Sequence, residues 1–257
     1  MTTTTNGNPI MIPGIDVSKW QGNTWDSTKA IANGVKWMYI RAYNGTTIDS
    51  SINYYVKKAV AAKIPFGFYS YFLPKQDAVK QGKMLADITK KYKATLVPMY
   101  DIEESIGLTT LNVEAYIQTC DKAIGQNGVV YTSAEIWDKQ VLSTKFSSHA
   151  LWIPRYPSKQ TPPVKADQWD KFAFTLKKDP VVPKAWKTWD IWQFSANENK
   201  AATNYGFPVG DLDLDIMFAS SWDKMVMKPS TTPVKPNATT IIKTVFKKII
   251  DAITKKK

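Results

Sequence analysis

Residues 94–105 read ATLVPMYDIEES, and this stretch decides how the rest of the chain is interpreted. A short apolar run ends abruptly in three acids, Asp101, Glu103 and Glu104, and such a run predicts a buried strand. Because side chains alternate along a strand, Asp101 and Glu103 are expected to point the same way. Two neighbouring carboxylates raise one another's pKa, so that one stays protonated while the other is ionised, as glycoside hydrolysis requires. The alternative is that the three acids simply end a strand in water.

Strand-like and helix-like segments alternate on both sides of this stretch. This alternation predicts an α/β fold with a parallel sheet. About eight strands in one domain predict a barrel. Little helix separates the later strands, so we expect an irregular (β/α) barrel rather than eight full repeats. Besides the central strand, apolar runs predict strands at residues 10–17, 35–45, 64–72, 128–133, 149–156, 189–195 and 211–218, with residues 172–176 as a further candidate. Helical spacing is found at residues 25–33, 49–63, 78–91 and 113–125.

In such barrels the active site lies at the carboxyl ends of the strands. Polar and aromatic residues collect at six or more of the expected strand ends, which is much harder to obtain by chance than one acidic pair. This distribution favours a carbohydrate site over acids that merely end a strand. The residues concerned are Asp16, Arg41, Tyr69, Asp101, Glu103, Tyr131, Trp152, Gln193 and Asp213.

Several motifs, taken in order, resemble the family-25 glycoside hydrolases, the N-acetylmuramidase-type lysozymes of bacteria and their phages. The likeness runs from about residue 12 to residue 222. It implies a flattened barrel of eight strands with about five helices, and hydrolysis of the β-1,4 bond between N-acetylmuramic acid and N-acetylglucosamine in peptidoglycan. The motifs are GIDVSKWQG at residues 14–22, the D-x-E of Asp101 and Glu103, GVVYTS at 128–133, LWIPRY at 151–156, WQFS at 192–195 and the late DLD.

The resemblance also implies roles for single residues. Glu103 matches the general acid and Asp101 its partner carboxylate, while Asp16 and Asp213 match the acids of the first and last strands. The expected substrate-binding residues are Trp20, Arg41, Tyr69, Tyr71, Tyr131, Trp152, Trp192 and Gln193. Two departures bear on substrate preference more than on activity: residues 43–45, Tyr-Asn-Gly, stand where many members carry a Thr-Glu-Gly-like turn, and Asp215 stands where Asn is common.

Physical chemistry supports the same assignment of the proton donor. Glu103 reaches one methylene further than Asp101, and the surrounding aspartates are expected to raise the pKa of Glu103. The same aspartates can stabilise an oxocarbenium-like transition state. Which carboxylate acts as base or nucleophile, or whether the acetamido group of the substrate takes that role, stays open at this stage.

Other classes of site find little support in the 257 residues. Cys120 is the single cysteine and His149 the single histidine, so no disulfide, His-based triad or zinc cluster is expected, and we predict structural roles for both. The run Asp211, Asp213, Asp215 resembles a chitinase D-x-D-x-E signature, but Met217 replaces its glutamate. No metal and no cofactor are predicted. Lysine pairs on helix faces are more typical of solvated surfaces than of nucleic-acid sites, and no nucleic acid is expected as a partner.

The end of the chain is distinct in composition and carries much of the formal net charge of +12. We expect a flexible lead-in at residues 1–9, a catalytic barrel at 10–227, a Pro/Thr-rich linker at 228–237 and a cationic amphipathic helix at 238–257. Such a helix suits an anionic membrane or envelope surface, although it would equally suit docking on its own barrel or on a second copy. Residues 1–8 show no secretory signal and no apolar run would span a membrane. Synthesis in the cytoplasm, followed by action on the cell wall after phage-driven lysis or from a virion, is therefore expected.

Three functional classes follow from these observations. A muramidase is favoured. A barrel that binds wall glycans without cleaving them is disfavoured by acids at all four expected positions. A membrane-interacting or structural virion protein remains as a third class because of the cationic end of the chain.

Overall fold

The computed structural model describes residues 9–156, 161–175, 179–196, 200–208 and 210–229. Eight strands close into a barrel, in the order β1, β9, β8, β7, β6, β5, β4 and β2, with β2 pairing back to β1. A short strand, β3, forms a hairpin with the end of β2. The strands are β1 Met11–Val17, β2 Trp37–Asn44, β3 Thr47–Ile48, β4 Phe66–Tyr71, β5 Met99–Asp101, β6 Val129–Tyr131, β7 Ala150–Pro154, β8 Ile191–Ser195 and β9 Asp213–Phe218. The predicted α/β barrel of about eight strands is confirmed.

The direction of β9 differs from the expectation of a parallel sheet. Strands β1, β2 and β4 to β8 run parallel, whereas β9 runs antiparallel to both β1 and β8. Within the described part of the connection from β8 to β9, the chain forms only a short 3-10 turn, Ala202–Tyr205. Because antiparallel neighbours need no crossover helix, this connection returns the chain directly. As a result β9 begins at the end of the barrel where its neighbours finish.

Helices cover the outside of the barrel. Asp26 caps the first of them, accepting hydrogen bonds from the backbone of Thr28 and Lys29. The candidate strand at 172–176 is wrong: Trp169 and Ala173, four residues apart, are both buried on one face of a helix. The helices are α1 Ser27–Ala32, α2 Ile52–Ala62, α3 Ala78–Lys91, α4 Thr110–Ile124, α5 Ala134–Ile136, continued by a π turn, Trp137–Val141, then α6 Trp169–Thr175 and α7 Trp222–Met225.

Large aromatic side chains fill the interior of the barrel. Trp37, Tyr39 and Trp152 are fully buried and meet edge to face, with ring centroids 5.2–6.0 Å apart. Glycines face them: a Cβ on Gly14 would lie 2.2 Å from the Trp37 ring, and one on Gly67 would lie 2.5 Å from the Tyr39 ring. The interior of the barrel is therefore a packed core.

The base of the barrel is closed by residues on either side of Pro98. The predicted central strand begins only at Met99, because the preceding residues turn away to a different partner. The backbone N–H of Val97 donates to Met225 O at 2.8 Å, and that of Met227 donates to Thr95 O at 2.9 Å. Residues 225–227 are thus tied to the base of the barrel.

Cys120 and His149, for which structural roles are predicted, are both buried. Cys120 is fully buried on α4. His149 is buried and its Nε2 lies 2.7 Å from Asp121 Oδ2, away from the strand ends that carry the predicted site.

Of the predicted lead-in and linker, only Pro9, Lys228 and Pro229 are described, and the predicted helix at 238–257 lies outside the described residues. No helix among the described residues is long and apolar enough to cross a membrane.

Candidate active site

Four carboxylates meet at the end of the barrel where β1 and β5 finish and β9 begins. Asp16 on β1 is the register partner of Asp213, the first residue of β9. Asp101 ends β5, and Glu103 follows two residues later on the same side. All four line one cavity of about 680 Å³. The sequence expectation that Asp101 and Glu103 face the same way agrees with this placement.

Burial favours the protonated form of the carboxyls in this cluster. It raises the pKa of Asp16 to about 7, although a hydrogen bond from Gln193 acts in the opposite direction. It raises the pKa of Asp101 and of Asp213 well above the ordinary range, and neighbouring negative charges add to the effect. The pKa of Glu103 is also raised, because the neighbouring side chains remove water from its carboxyl even though the residue as a whole is exposed, while a hydrogen bond from Asp101 acts against the rise. The cluster therefore holds both protonated and ionised carboxyls near neutral pH.

The members of the Asp101–Glu103 pair differ in their access to the cavity. Asp101 is 5% exposed, whereas Glu103 falls among the exposed residues. A hydrogen bond links the two side chains. A ligand in the cavity can reach Glu103 more readily than Asp101, which suits Glu103 to exchange a proton with a ligand.

Gln193 connects Asp16 to two tyrosines. Its Nε2 donates to Asp16 Oδ2 at 2.7 Å. Its Oε1 accepts hydrogen bonds from Tyr131 Oη at 2.8 Å and from Tyr156 Oη at 2.5 Å. Sequence reasoning included Gln193 and Tyr131 among the substrate-binding residues but missed Tyr156, although the LWIPRY motif ends on it.

Arg41 fixes the turn that carries Trp20. Arg41 Nε donates to Asp49 Oδ2 at 2.8 Å, and the same oxygen accepts from the backbone N–H of Lys19 at 3.2 Å. Burial tends to raise the pKa of Asp49, but hydrogen bonds led by those from Ser51 outweigh it and hold the pKa below its usual range. Trp20 is 76% exposed at the cavity and offers an open aromatic surface to a ligand.

Two predicted substrate-binding tryptophans do not line the cavity. Trp192 is fully buried on the outer side of the barrel, where its Nε1 donates to Arg155 O at 2.7 Å. Side chains alternate along β8, so Trp192 must point outward once Gln193 points inward. Trp152 does point inward but lies deeper, where its Nε1 donates to Asp215 Oδ1 at 3.1 Å.

The other predicted residues lie where expected. Trp20, Arg41, Tyr69, Tyr71, Tyr131 and Gln193 all line the cavity. Sequence reasoning missed several lining residues, of which Asp211 carried a signal because it precedes Asp213 by two residues. The others missed, besides Tyr156, are Ser18, Gln21, Met99 and Ala196.

Asp215 lies beneath the cavity rather than in it. Asp211 precedes β9, whereas Asp215 lies within β9 and is fully buried against Trp152. Burial raises the pKa of Asp215 well above the ordinary range, although a hydrogen bond from Trp152 acts in the opposite direction. Among the described residues, no group of three or more His, Cys, Asp or Glu side chains is arranged to hold a metal ion.

Comparison with known proteins identifies similar chains. The model of glycosyl hydrolases family 25 matches residues 15–202. Lysozyme M1 of Streptomyces globisporus is 27% identical over 206 residues, and the aligned part is 72% of this chain and 62% of that protein. The chain thus spans less than two thirds of the length of that curated relative.

Solved structures share the fold. A family GH25 lysozyme from Aspergillus fumigatus superposes with a TM-score of 0.61 at 22% identity, covering 85% of this chain and all of that one. The catalytic domain of endolysin ply40, from bacteriophage P40 of Listeria monocytogenes, superposes with a TM-score of 0.61 at 21% identity, covering 84% and 97%.

Proposed function

The chain belongs to glycosyl hydrolases family 25, and from this premise we propose that it is a peptidoglycan hydrolase of the muramidase type. The bond cleaved is the β-1,4 linkage from N-acetylmuramic acid to N-acetylglucosamine. The observation that carries the proposal is the gathering of Asp16, Asp101, Glu103 and Asp213 around one cavity at the barrel end. A similarity of fold alone would not carry it, since one fold serves many functions.

Glu103 is the proton donor to the bridging oxygen. Cleavage of a glycoside needs an acid at the leaving oxygen and negative charge near the anomeric carbon. Glu103 is the carboxyl of the Asp101 pair that is open to the cavity, and its raised pKa favours the protonated form that an acid catalyst needs. Asp101 lies nearly buried behind it, and its hydrogen bond to Glu103 offsets only part of this rise.

Asp16 and Asp213 stabilise positive charge as it develops on the sugar ring. They lie opposite one another on β1 and β9 and share a hydrogen bond across the cavity floor. A carboxylate held in a largely buried site acts on a developing oxocarbenium charge more strongly than it would in water. The aromatic residues Trp20, Tyr69 and Tyr71 line the same cavity and provide surfaces for sugar rings.

Mass spectrometry of digested peptidoglycan tests the proposal. Purified sacculi are incubated with the protein, and the soluble fragments are reduced with borohydride and sequenced. New reducing ends on N-acetylmuramic acid are expected. Reducing ends on N-acetylglucosamine would assign a glucosaminidase instead. Release of no fragments by a folded protein would favour a barrel that binds wall glycans without cleaving them.

A further inference from the structure

The carboxyl of Asp16 lies between Gln193 and Asp213. The Nε2 of Gln193 donates to its Oδ2 at 2.7 Å, and Asp213 faces it as its register partner on the neighbouring strand. Asp16 is only 3% exposed, so water contributes little to its solvation. An ionised carboxylate accepts hydrogen bonds and offers none, so this environment matches the ionised form of Asp16.

The orientation of the Gln193 amide is set by the two tyrosines. Its Oε1 has two lone pairs, and the hydroxyls of Tyr131 and Tyr156 donate to them at 2.8 and 2.5 Å. Turning the amide over would place Oε1 against the Asp16 carboxylate and leave both hydroxyls facing an NH₂ group. Gln193 is only 4% exposed, so water offers its side chain no alternative hydrogen-bond partner. The tyrosines therefore hold the N–H toward Asp16.

From these contacts we propose that Gln193, held by Tyr131 and Tyr156, is a positioning residue that keeps Asp16 as the charged member of the Asp16–Asp213 pair and leaves the proton on Asp213. The proposal rests on the proposed glycosidase function for its consequence, because the site needs one negative charge at a defined place beside the anomeric carbon. It replaces the sequence interpretation of Gln193 as a residue that contacts substrate.

The two interpretations of Gln193 predict different kinetics. A residue that only contacts substrate changes KM and leaves the ionisation of the site alone. A residue that donates to ionised Asp16 stabilises the charged form, so that its loss raises the pKa of Asp16. In line with this, the hydrogen bond from Gln193 is the largest effect that lowers the pKa of Asp16.

The test compares Gln193→Met, Tyr131→Phe, Tyr156→Phe and the double Tyr131→Phe/Tyr156→Phe variant with the parent protein. Gln193→Met keeps a side chain of similar length without the N–H. The double variant keeps both rings and frees the amide. Tyr100→Phe is the matched control, because it removes a buried tyrosine hydrogen bond to a carboxylate, Asp121, outside the cavity.

Two readouts are used for each variant. The apparent pKa of Asp16 is followed by carboxyl ¹³C NMR, assigned with Asp16→Asn, and the acid limb of kcat/KM is followed on soluble peptidoglycan fragments. In Gln193→Met and in the double variant, both midpoints should rise by about one pH unit, the shift expected when a charge-assisted hydrogen bond is lost. Each single Phe variant should move them less, since one hydroxyl still holds the amide, and Tyr100→Phe should not move them.

A rise in KM with an unchanged Asp16 midpoint would overturn the proposal and return Gln193 to substrate contact. Equal shifts in the control would also overturn it, because they would reflect general loosening. If Gln193→Met fails to fold, the double variant, which changes no ring volume, decides the matter. The NMR titration needs no turnover. A parent protein that is inactive on peptidoglycan but shows the Asp16 shift in the variants would therefore reject the glycosidase function and support the positioning role.

Discussion

At the scale of single residues, the site depends on unequal access within pairs of carboxyls. Asp101 is nearly buried while Glu103 is open, and Asp16 shares a hydrogen bond with Asp213. The members of each pair therefore differ in their contacts, and the role we propose for each follows from its position. Below the cavity, the fully buried carboxyl of Asp215 accepts a hydrogen bond from Trp152.

Replacing Glu103 with Gln should remove the proton donor while keeping the shape of the side chain. We expect a rate loss of roughly 10² to 10⁴, the usual contribution of acid catalysis, with the circular dichroism spectrum and melting temperature retained. Glu104→Gln is the control, because Glu104 is the adjacent acid and does not line the cavity. Clearing of a wall suspension by folded Glu103→Gln at the parent rate would contradict the assignment.

Replacing Asp215 with Asn should remove a pH-dependent part of the stability. Burial raises the folded-state pKa of Asp215 above its unfolded value, so its contribution is present at low pH and is lost as the pH rises through the folded pKa. Asp215→Asn should therefore unfold at a higher urea concentration than the parent at pH 8, and the difference should shrink toward pH 4. A difference that is constant across this range would show that the carboxyl does not titrate in the folded state.

At the scale of elements, the strands are matched so that small residues face large ones. Gly14 on β1 lies against Trp37, and Gly67 on β4 lies against Tyr39. These aromatic rings form the layer on which the cavity residues stand, so the close approach of β1 and β4 also determines where Asp16 and Tyr69 lie.

Replacing Gly67 with Ala should overpack the barrel interior. Its Cβ would lie 2.5 Å from the ring of Tyr39, which is fully buried and cannot move into water. We expect a loss of about 3 kcal/mol in the free energy of unfolding, the upper part of the usual range for overpacking. Gly125→Ala is the control: its Cβ meets nothing within 4 Å, and it should cost about 1 kcal/mol for the left-handed backbone alone. Urea unfolding that ranks Gly125→Ala as the more damaging change would refute this account.

At the scale of the whole molecule, the last described residues are hydrogen-bonded to the base of the barrel. The segment 225–227 hydrogen bonds to residues 95 and 97, and the backbone N–H of Lys228 donates to Gln126 Oε1 at 2.9 Å. The cavity lined by the four carboxylates lies at the other end, where the parallel strands finish.

Truncation after Pro229 should separate catalysis from surface binding. The truncated chain should keep its melting temperature and still cut soluble peptidoglycan fragments. It lacks seven lysines and the predicted apolar stripe, and each basic residue near an anionic surface contributes about 1 kcal/mol before salt screening. We therefore expect much weaker sedimentation with anionic phosphatidylglycerol vesicles than for the full chain. Neutral phosphatidylcholine vesicles serve as the control.

Equal vesicle binding by the two chains would reject surface targeting. A lower melting temperature after truncation, or a change from dimer to monomer, would instead support docking of the C-terminal segment on the barrel or on a second copy.

The sequence by itself determined the barrel, the four acids and most of the cavity lining. These depend on local information: apolar runs and helical spacing mark the elements, and alternation along a strand sets the side of Asp101 and Glu103. The order of motifs adds Asp16 and Asp213. The same rule of alternation could have excluded Trp192 once Gln193 was placed inside.

Only the tertiary structure decided the direction of β9, the depth of Trp152 and the bond from Gln193 to Asp16. Antiparallel pairing of β9 depends on the path of the chain after β8, which local patterns do not encode. The hydrogen bond joins side chains 177 residues apart in the sequence. Depth within the barrel and contacts between distant strands arise from the closure of the sheet, and closure is a property of all eight strands together.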